Sequence, residues 1–232
     1  MFKHIGDWYQ REKKIIGSSL AIGFAVMLCS GFYSAQYAQK IQSGIANEVV
    51  RFHVLANGDA DFDQELKLKV RDAVLENFRE ELSTSKSREE TKQMLEGRLD
   101  EIVLCAKEVV QAEKYDYEVS ARLAKAYFPS KTYGDVTFPA GEYEALRIEI
   151  GEAVGQNWWC VMYPPLCFVD VTKGEIPEED KSELKNILTE DEYDIVLSKA
   201  GKDISVKIKF KIVEWWQERT NRIEQELLLF QR

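Results

Sequence analysis

A stretch without any charged residue near the amino terminus constrains this chain more than any other feature. Residues 15–32 are mostly apolar or small, and three basic residues lie between positions 11 and 14, just before them. As a helix this stretch spans about 27 Å, close to the thickness of a bilayer core. The basic residues predict that residues 1–14 stay in the cytoplasm and that the chain after the stretch is exported.

The residues that follow leave two interpretations open, a cleaved signal peptide and an uncleaved signal-anchor helix. Signal peptidases cut after a pair of small residues separated by one position. Tyr33 and Tyr37 disfavour cutting close to the stretch, and Gly44-Ile45-Ala46 offers the pattern only further downstream. We expect residues 33–48 to form a tether between the membrane segment and the exported domain.

The composition of the whole chain is close to that of a soluble globular protein. Of the 232 residues, 45% are hydrophobic and 31% are charged. The chain has 31 basic and 40 acidic side chains, a net charge of −9, and the excess of acids lies after residue 40. An acidic surface repels a phosphate backbone, so nucleic acid is not an expected partner. Without repeats or a second linker, residues 49–232 are expected to form one domain.

Hydrophobic periodicity predicts an α+β domain, a mainly antiparallel sheet packed with two long amphipathic helices. Strands are predicted at residues 49–55, 117–123, 143–150, 158–163 and 204–210, helices at 61–82, 87–110 and 212–230, and helices or turns at 178–199. Apolar residues in and after segment 204–210 also recur every four positions, so a helix is the alternative structure for that segment. Two helices are expected to begin with capping boxes, one of Asp61 and Gln64 and one of Ser87 and Glu90. Strand 158–163 is apolar on both faces, which favours a central position in the sheet.

No familiar catalytic or metal-binding motif is present in the sequence. After the apolar stretch the chain has a single histidine, His53, and three cysteines, among them Cys160 and Cys167. These three residues would form a cysteine hydrolase site or three ligands of a zinc ion, if the fold brings them together. The other interpretation is that the two thiols are simply buried in a strand rich in tryptophan, and the sequence leaves both open.

Three longer blocks of sequence, rather than a short motif, carry a family resemblance. They are RFHVLAN with LKLKVRD (residues 51–57 and 66–72), YGD with FPAGEYEALRI (133–135 and 138–148), and NWWCVMYPPLCFVD (157–170). Together they resemble the stage II sporulation protein R (SpoIIR) family over about residues 49–215. The loop reads Asn57-Gly58-Asp59-Ala60 where the family pattern has Asn-Ser-Asp-Ser, a small departure.

The resemblance implies an intercellular signalling protein of endospore-forming bacteria. Such a protein is made in the forespore and exported to the intermembrane space, where it remains membrane-anchored or is released by cleavage. There it activates a membrane aspartic protease, SpoIIGA, which processes the pro-sigma-E factor. The resemblance implies contact between proteins rather than catalysis. We therefore expect no enzyme activity, no cofactor, no metal and no small-molecule substrate.

Aromatic and rigid residues are the natural candidates for the surface that contacts the protease, since such residues are enriched at interaction hot spots. The candidates are Trp158, Trp159, Tyr163, Pro164, Pro165 and Phe168, together with Asn57 and Asp59 in the loop after the first strand. The alternative interpretation is that the two tryptophans belong to the core.

Overall fold

A single long helix precedes the folded domain. A computed structural model describes residues 2–168 and 175–197, in two units, one ending at Lys40 and one beginning at Ile41. The first helix, α1, runs from Phe2 to Glu48. Residues 33–48 are therefore helical, and Ile41 and Ile45 pack in the core of the second unit, so residues 41–48 are part of the domain rather than of a tether.

The part of α1 that begins at Ile15 is long and apolar enough to cross a membrane. Its large side chains, such as Leu20 and Phe24, are exposed, as expected of residues meant for lipid rather than for a protein core. A signal sequence and a membrane anchor share this length and composition. The helix is therefore compatible with both.

The second unit is an α+β domain, as predicted. After α1 its elements are β1 (Val50–Leu55), α2 (Asp61–Asn77), α3 (Arg79–Thr84), α4 (Arg88–Gly97), α5 (Leu99–Ala112), β2 (Val119–Phe128), β3 (Lys131–Tyr133), β4 (Val136–Phe138), β5 (Gly141–Ile150), β6 (Asn157–Tyr163), a 3-10 helix (Leu166–Phe168), α6 (Glu178–Ile187) and α7 (Glu190–Leu197). The two long helices that the sequence predicts are each interrupted once. The helix predicted at 61–82 is interrupted at Phe78, and the helix predicted at 87–110 is interrupted at Arg98. The strand predicted at 204–210 and the helix predicted at 212–230 lie outside the described residues.

The main sheet has four strands in the order β2-β5-β1-β6, and β3 pairs with β4 in a separate hairpin. β1 runs parallel to β5, whereas the β1–β6, β2–β5 and β3–β4 pairs are antiparallel. Among the described residues β6 is an edge strand, rather than the central strand predicted for 158–163. Its apolar residues on both sides are explained instead by cover on both faces of the sheet.

Alternation along β1 separates two differently built faces. Val50, Phe52 and Val54 point to the side that α2, α4 and α5 cover, which we call the helical face. Arg51 and His53 point to the opposite side, which we call the polar face. The polar face is covered by four segments, namely the end of α1, the β3–β4 hairpin, α6 and α7.

The helix starts show which capping predictions hold. The Ser87 hydroxyl accepts a hydrogen bond from the Glu90 N–H at 3.2 Å, and the Glu90 carboxylate accepts from the Lys86 N–H at 2.9 Å. The Ser87 cap is thus confirmed, whereas the Glu90 side chain bonds the residue before the N-cap rather than Ser87 itself. The box of Asp61 and Gln64 is wrong, because α2 has Ala60 as its N-cap and no side-chain cap.

Candidate functional site

The most unusual group in the domain is a fully buried guanidinium on the polar face. The central carbon of Arg51 lies 4.4 Å from the ring centroid of Phe128, 4.9 Å from that of Tyr143, 5.3 Å from that of Phe138 and 5.9 Å from that of Tyr133. We call this group the Arg51 cage. Aromatic faces attract a cation through the ring quadrupole, which offsets part of the cost of removing it from water.

Hydrogen bonds tie the Arg51 cage to β6. Arg51 donates from Nε to the Cys160 carbonyl at 3.0 Å and from Nη2 to the Tyr133 hydroxyl at 3.1 Å. The Tyr133 hydroxyl in turn donates to the Trp159 carbonyl at 3.1 Å. Arg51 Nη1 has no hydrogen-bond partner, and among the described residues no carboxylate pairs with this guanidinium. The cage therefore joins β1, β6 and the β3–β4 hairpin through one cation.

His53 lies two residues further along β1 on the same face. Its ring stacks on Trp159 at 4.9 Å between centroids and contacts Phe128 at 5.3 Å, and neither ring nitrogen has a hydrogen-bond partner among the residues that the structure describes. Burial, as the largest cause, and the positive charges of Arg147, Arg122 and Arg51 together lower the pKa of His53 to about 3. At neutral pH His53 is thus an uncharged packing residue.

The structure does not assemble the site of Cys160, Cys167 and His53 that the sequence left open. Cys160 lies opposite Phe52 on the helical face, while His53 lies opposite Trp159 on the polar face, so the sheet separates them. Cys160 and Cys167 are joined in a disulfide with their Cα atoms 5.6 Å apart. In the described part of the chain, no three His, Cys, Asp or Glu side chains are grouped to hold a metal ion.

Asn57 and Asp59 fasten two loops to each other. The Asn57 side chain accepts a hydrogen bond from the Glu152 N–H at 3.1 Å, and Asp59 accepts from the Gln156 N–H at 2.8 Å. A side chain on Gly155 would collide with the backbone of the first loop at Gly58. We call loops 56–60 and 151–156 together the loop clamp.

The two candidate tryptophans do not form one surface, because they are neighbours in a strand and point to opposite faces. Trp158 packs edge-on against Phe52 at 5.7 Å and beneath the Arg71 guanidinium at 4.8 Å. Trp159 belongs to the polar face with His53 and Phe128. Both are half-buried, so each has a packing role on its own side of the sheet.

The remaining candidates follow directly after Trp159 and are largely enclosed. Tyr163 and Pro164 are buried, and the Tyr163 hydroxyl donates to the Lys86 carbonyl at 3.1 Å. Pro165 and Phe168 are half-buried, and the Phe168 ring lies 4.7 Å from the Arg79 guanidinium. This segment attaches β6 to the helices of the helical face rather than projecting into solvent.

An exposed aromatic group that the sequence did not single out lies beside the loop clamp. Phe62 is 50% exposed, and its ring is stacked 6.0 Å from Tyr115, which is stacked 5.3 Å from Tyr117. Val154, at the tip of the clamp, is 76% exposed. We call these four residues the loop-end patch. Phe62, Leu66 and Val70 recur every four residues, a spacing typical of a buried helix side, so periodicity alone does not indicate that Phe62 is exposed.

A buried carboxylate connects the patch to the clamp. Asp63 is 4% exposed and accepts hydrogen bonds from the Asn57 amide at 3.3 and 3.4 Å to its two oxygens. It also forms a side-chain hydrogen bond with the Tyr117 hydroxyl. The aromatic stack and the two loops are thus held together by one acceptor.

These features define a class of protein, a small α+β domain carried on an apolar amino-terminal helix, with a buried cation where its three sequence blocks meet. Arg51 comes from the first block, Tyr133, Phe138 and Tyr143 come from the second, and Cys160 comes from the third.

The chain matches the family model described as stage II sporulation protein R over residues 46–173, which includes every residue of the cage. It is 36% identical over 198 residues to Stage II sporulation protein R of Bacillus subtilis (strain 168), covering 80% of this chain and 88% of that protein. The chain belongs to the stage II sporulation protein R family, as the resemblance predicted. No solved structure matches it.

Proposed function

We propose that this protein is an exported signal of sporulation that activates a membrane aspartic protease, SpoIIGA, by direct contact in the intermembrane space. The protease would then process the pro-sigma-E factor. The observation that supports this most is membership of the sporulation family together with an apolar helix ahead of the domain. The proposed role is non-enzymatic, because it requires presentation of a surface and no chemistry.

The loop-end patch is the surface that we propose for this contact. Interaction hot spots combine aromatic residues with apolar side chains that lose water on binding. Phe62 and Val154 are half or more exposed, and the loop clamp beside them is cross-linked by hydrogen bonds. A surface that is ordered before binding loses less conformational entropy when the partner arrives.

The charge around the loop-end patch indicates the kind of surface that would bind it. The exposed acids on the same segments are Asp59, Asp61, Glu65, Glu113, Asp116, Glu118 and Glu152, and the exposed lysines are Lys69 and Lys114. Opposite charges across an interface speed association and select the partner. We therefore propose that the receiving region of the protease is basic around an apolar centre.

The activator role is tested by reconstitution in a host without sporulation. The full chain, the protease and the sigma-factor precursor are produced together in cells that can export the chain. Cleavage of the precursor is then followed by immunoblot. We expect cleavage well above that in cells without this chain. Cleavage that stays at the level of those cells, with exported protein confirmed in the same samples, would refute the role.

The contact surface is tested with charge-introducing substitutions. Phe62→Asp and Val154→Asp together should lower precursor cleavage about tenfold or more, the effect of losing a hot-spot residue. Leu104→Asp is the matched control, because Leu104 is a 58% exposed side chain on α5, away from the patch. Equal activity of the double variant and the control would show that the contact lies elsewhere while leaving the activator role intact.

A further inference from the structure

The end of α1 is a structural part of the exported domain. Ile41 is 5% exposed, Ile45 is fully buried, and Ala46 is 9% exposed. These residues belong to the same buried cluster as Phe138 and Val161 of the strands that they cover. Ile41 and Ile45 are four residues apart and therefore lie on the same side of the helix. Residues 41–48 thus supply part of the cover of the polar face.

Polar contacts fix the same segment to two other elements. The Gln42 amide donates to the Glu142 carbonyl in β5 at 3.2 Å. The Glu192 carboxylate lies so close to the backbone of Gly44 that any side chain there would collide with it. That same carboxylate accepts the Thr189 N–H at 2.9 Å and so caps α7.

Within residues 33–48, the only pair of small residues at signal-peptidase spacing is Gly44 and Ala46, inside this segment. Cutting after Ala46 would remove Ile41, Gln42 and Ile45 from the domain and expose the surface that they cover. Between residues 33 and 40 no two small residues stand at that spacing, because tyrosine, glutamine or lysine occupies one position of each pair.

We infer that the exported domain begins at Ile41 and that the active signal keeps residues 41–48, so that Gly44-Ile45-Ala46 is not a processing site. This inference rests on the proposed function only in taking the chain to be exported. Any removal of the apolar stretch takes place before Ile41.

The decisive measurement is the amino terminus of the exported full chain. The protein is produced with a carboxyl-terminal affinity tag in an endospore-forming host, recovered from the outer side of the membrane, and its intact mass and terminal sequence are determined. We expect every major species to contain residues 41–48. A major species that begins at Asn47 would overturn the inference, whether or not the protease is activated.

A stability measurement tests the same inference independently of any cleavage of the chain. In the detergent-solubilised full chain, Ile45→Ala should lower the unfolding midpoint of the domain by roughly 5–15 °C, as expected for loss of a buried isoleucine. Ser43→Ala is the control, since Ser43 lies exposed on the same segment. This substitution should change the unfolding midpoint by about a degree or less. Equal midpoints for the two variants would overturn the assignment of this segment to the domain core.

Discussion

The two faces of the sheet are filled in different ways, although they share the same four strands. On the helical face, Phe52 and Val54 pack against helices whose apolar residues recur every three or four positions. On the polar face, Arg51 and His53 take the equivalent positions beneath side chains from four separate segments. The helical face is built from regular patterns, whereas the polar face depends on residues that meet only in the complete fold.

The comparison shows how a buried cation is tolerated in this domain. A buried charge without a carboxylate partner is costly, and the ring contacts around Arg51 individually return about 0.5–2 kcal/mol. The four rings also fill the space around the guanidinium, so packing and cation–π attraction come from the same atoms. We infer that the volume of the Arg51 side chain stabilises the polar face at least as much as its charge does.

The largest expected effect separates volume from charge at position 51. Arg51→Ala should lower the free energy of unfolding by about 3–5 kcal/mol, because it opens a cavity and leaves the Cys160 carbonyl without its donor. Arg51→Met retains most of the volume and should recover more than half of that loss. Urea unfolding followed by near-ultraviolet circular dichroism measures both. If methionine is as damaging as alanine, the polar contacts of the guanidinium, not packing, stabilise the face.

The next effect concerns pH and is specific to the polar face. The pKa of His53 is about 3 in the folded chain and about 6.5 when unfolded, so the unfolded chain binds one more proton between these values. The free energy of unfolding should therefore decrease as pH falls below 6.5, by about 2 kcal/mol between pH 7 and pH 5.

Substitution at position 53 tests that dependence on pH. His53→Phe retains the stacking on Trp159 and Phe128 and should remove this contribution, which denaturant titrations at pH 7 and pH 5 would show. His4→Gln is the control, because His4 is the other histidine in the chain. An unchanged difference between the two pH values in His53→Phe would mean that other groups cause the acid sensitivity.

The smallest effect lies on the helical face and compares two helix starts. Ser87→Ala should cost about 1 kcal/mol of unfolding free energy, because the hydroxyl caps the Glu90 N–H. Asp61→Ala should cost less than half as much, since α2 begins without a side-chain cap. Thermal unfolding of both variants provides the comparison. Equal losses would indicate that Asp61 stabilises its helix as strongly as a capping residue does.

The regular part of this fold could be predicted from the sequence because it repeats a local period. The strand at 49–55 and the helices after it follow from β-branched runs and from three- and four-residue spacing. The segment 33–48 could not be assigned correctly, because Ile41 and Ile45 lie among polar residues. They also follow an apolar stretch whose composition is fully accounted for by a membrane segment. Their four-residue spacing was the available signal for a helix.

The site was harder to predict, because each of its members has an ordinary local setting. Arg51 is a single cation in an apolar strand, and the rings around it lie 77 to 92 positions further along the chain. The candidates Trp158 and Trp159 were adjacent in sequence, and strand alternation sends them to opposite faces. Phe62, Tyr115 and Tyr117 come together only because Asp63 joins the turn before β2 to the start of α2.

The disulfide between Cys160 and Cys167 has a consequence for following this protein in cells. Disulfides persist in oxidising compartments and are rare in the cytoplasm, where thiols are kept reduced. After denaturation, a molecule retained inside would present all four of its cysteines to an alkylating reagent. An exported one would present only Cys105, and Cys29 as well where the apolar stretch is still attached. The mass added by the reagent therefore distinguishes molecules that have crossed the membrane from those that have not.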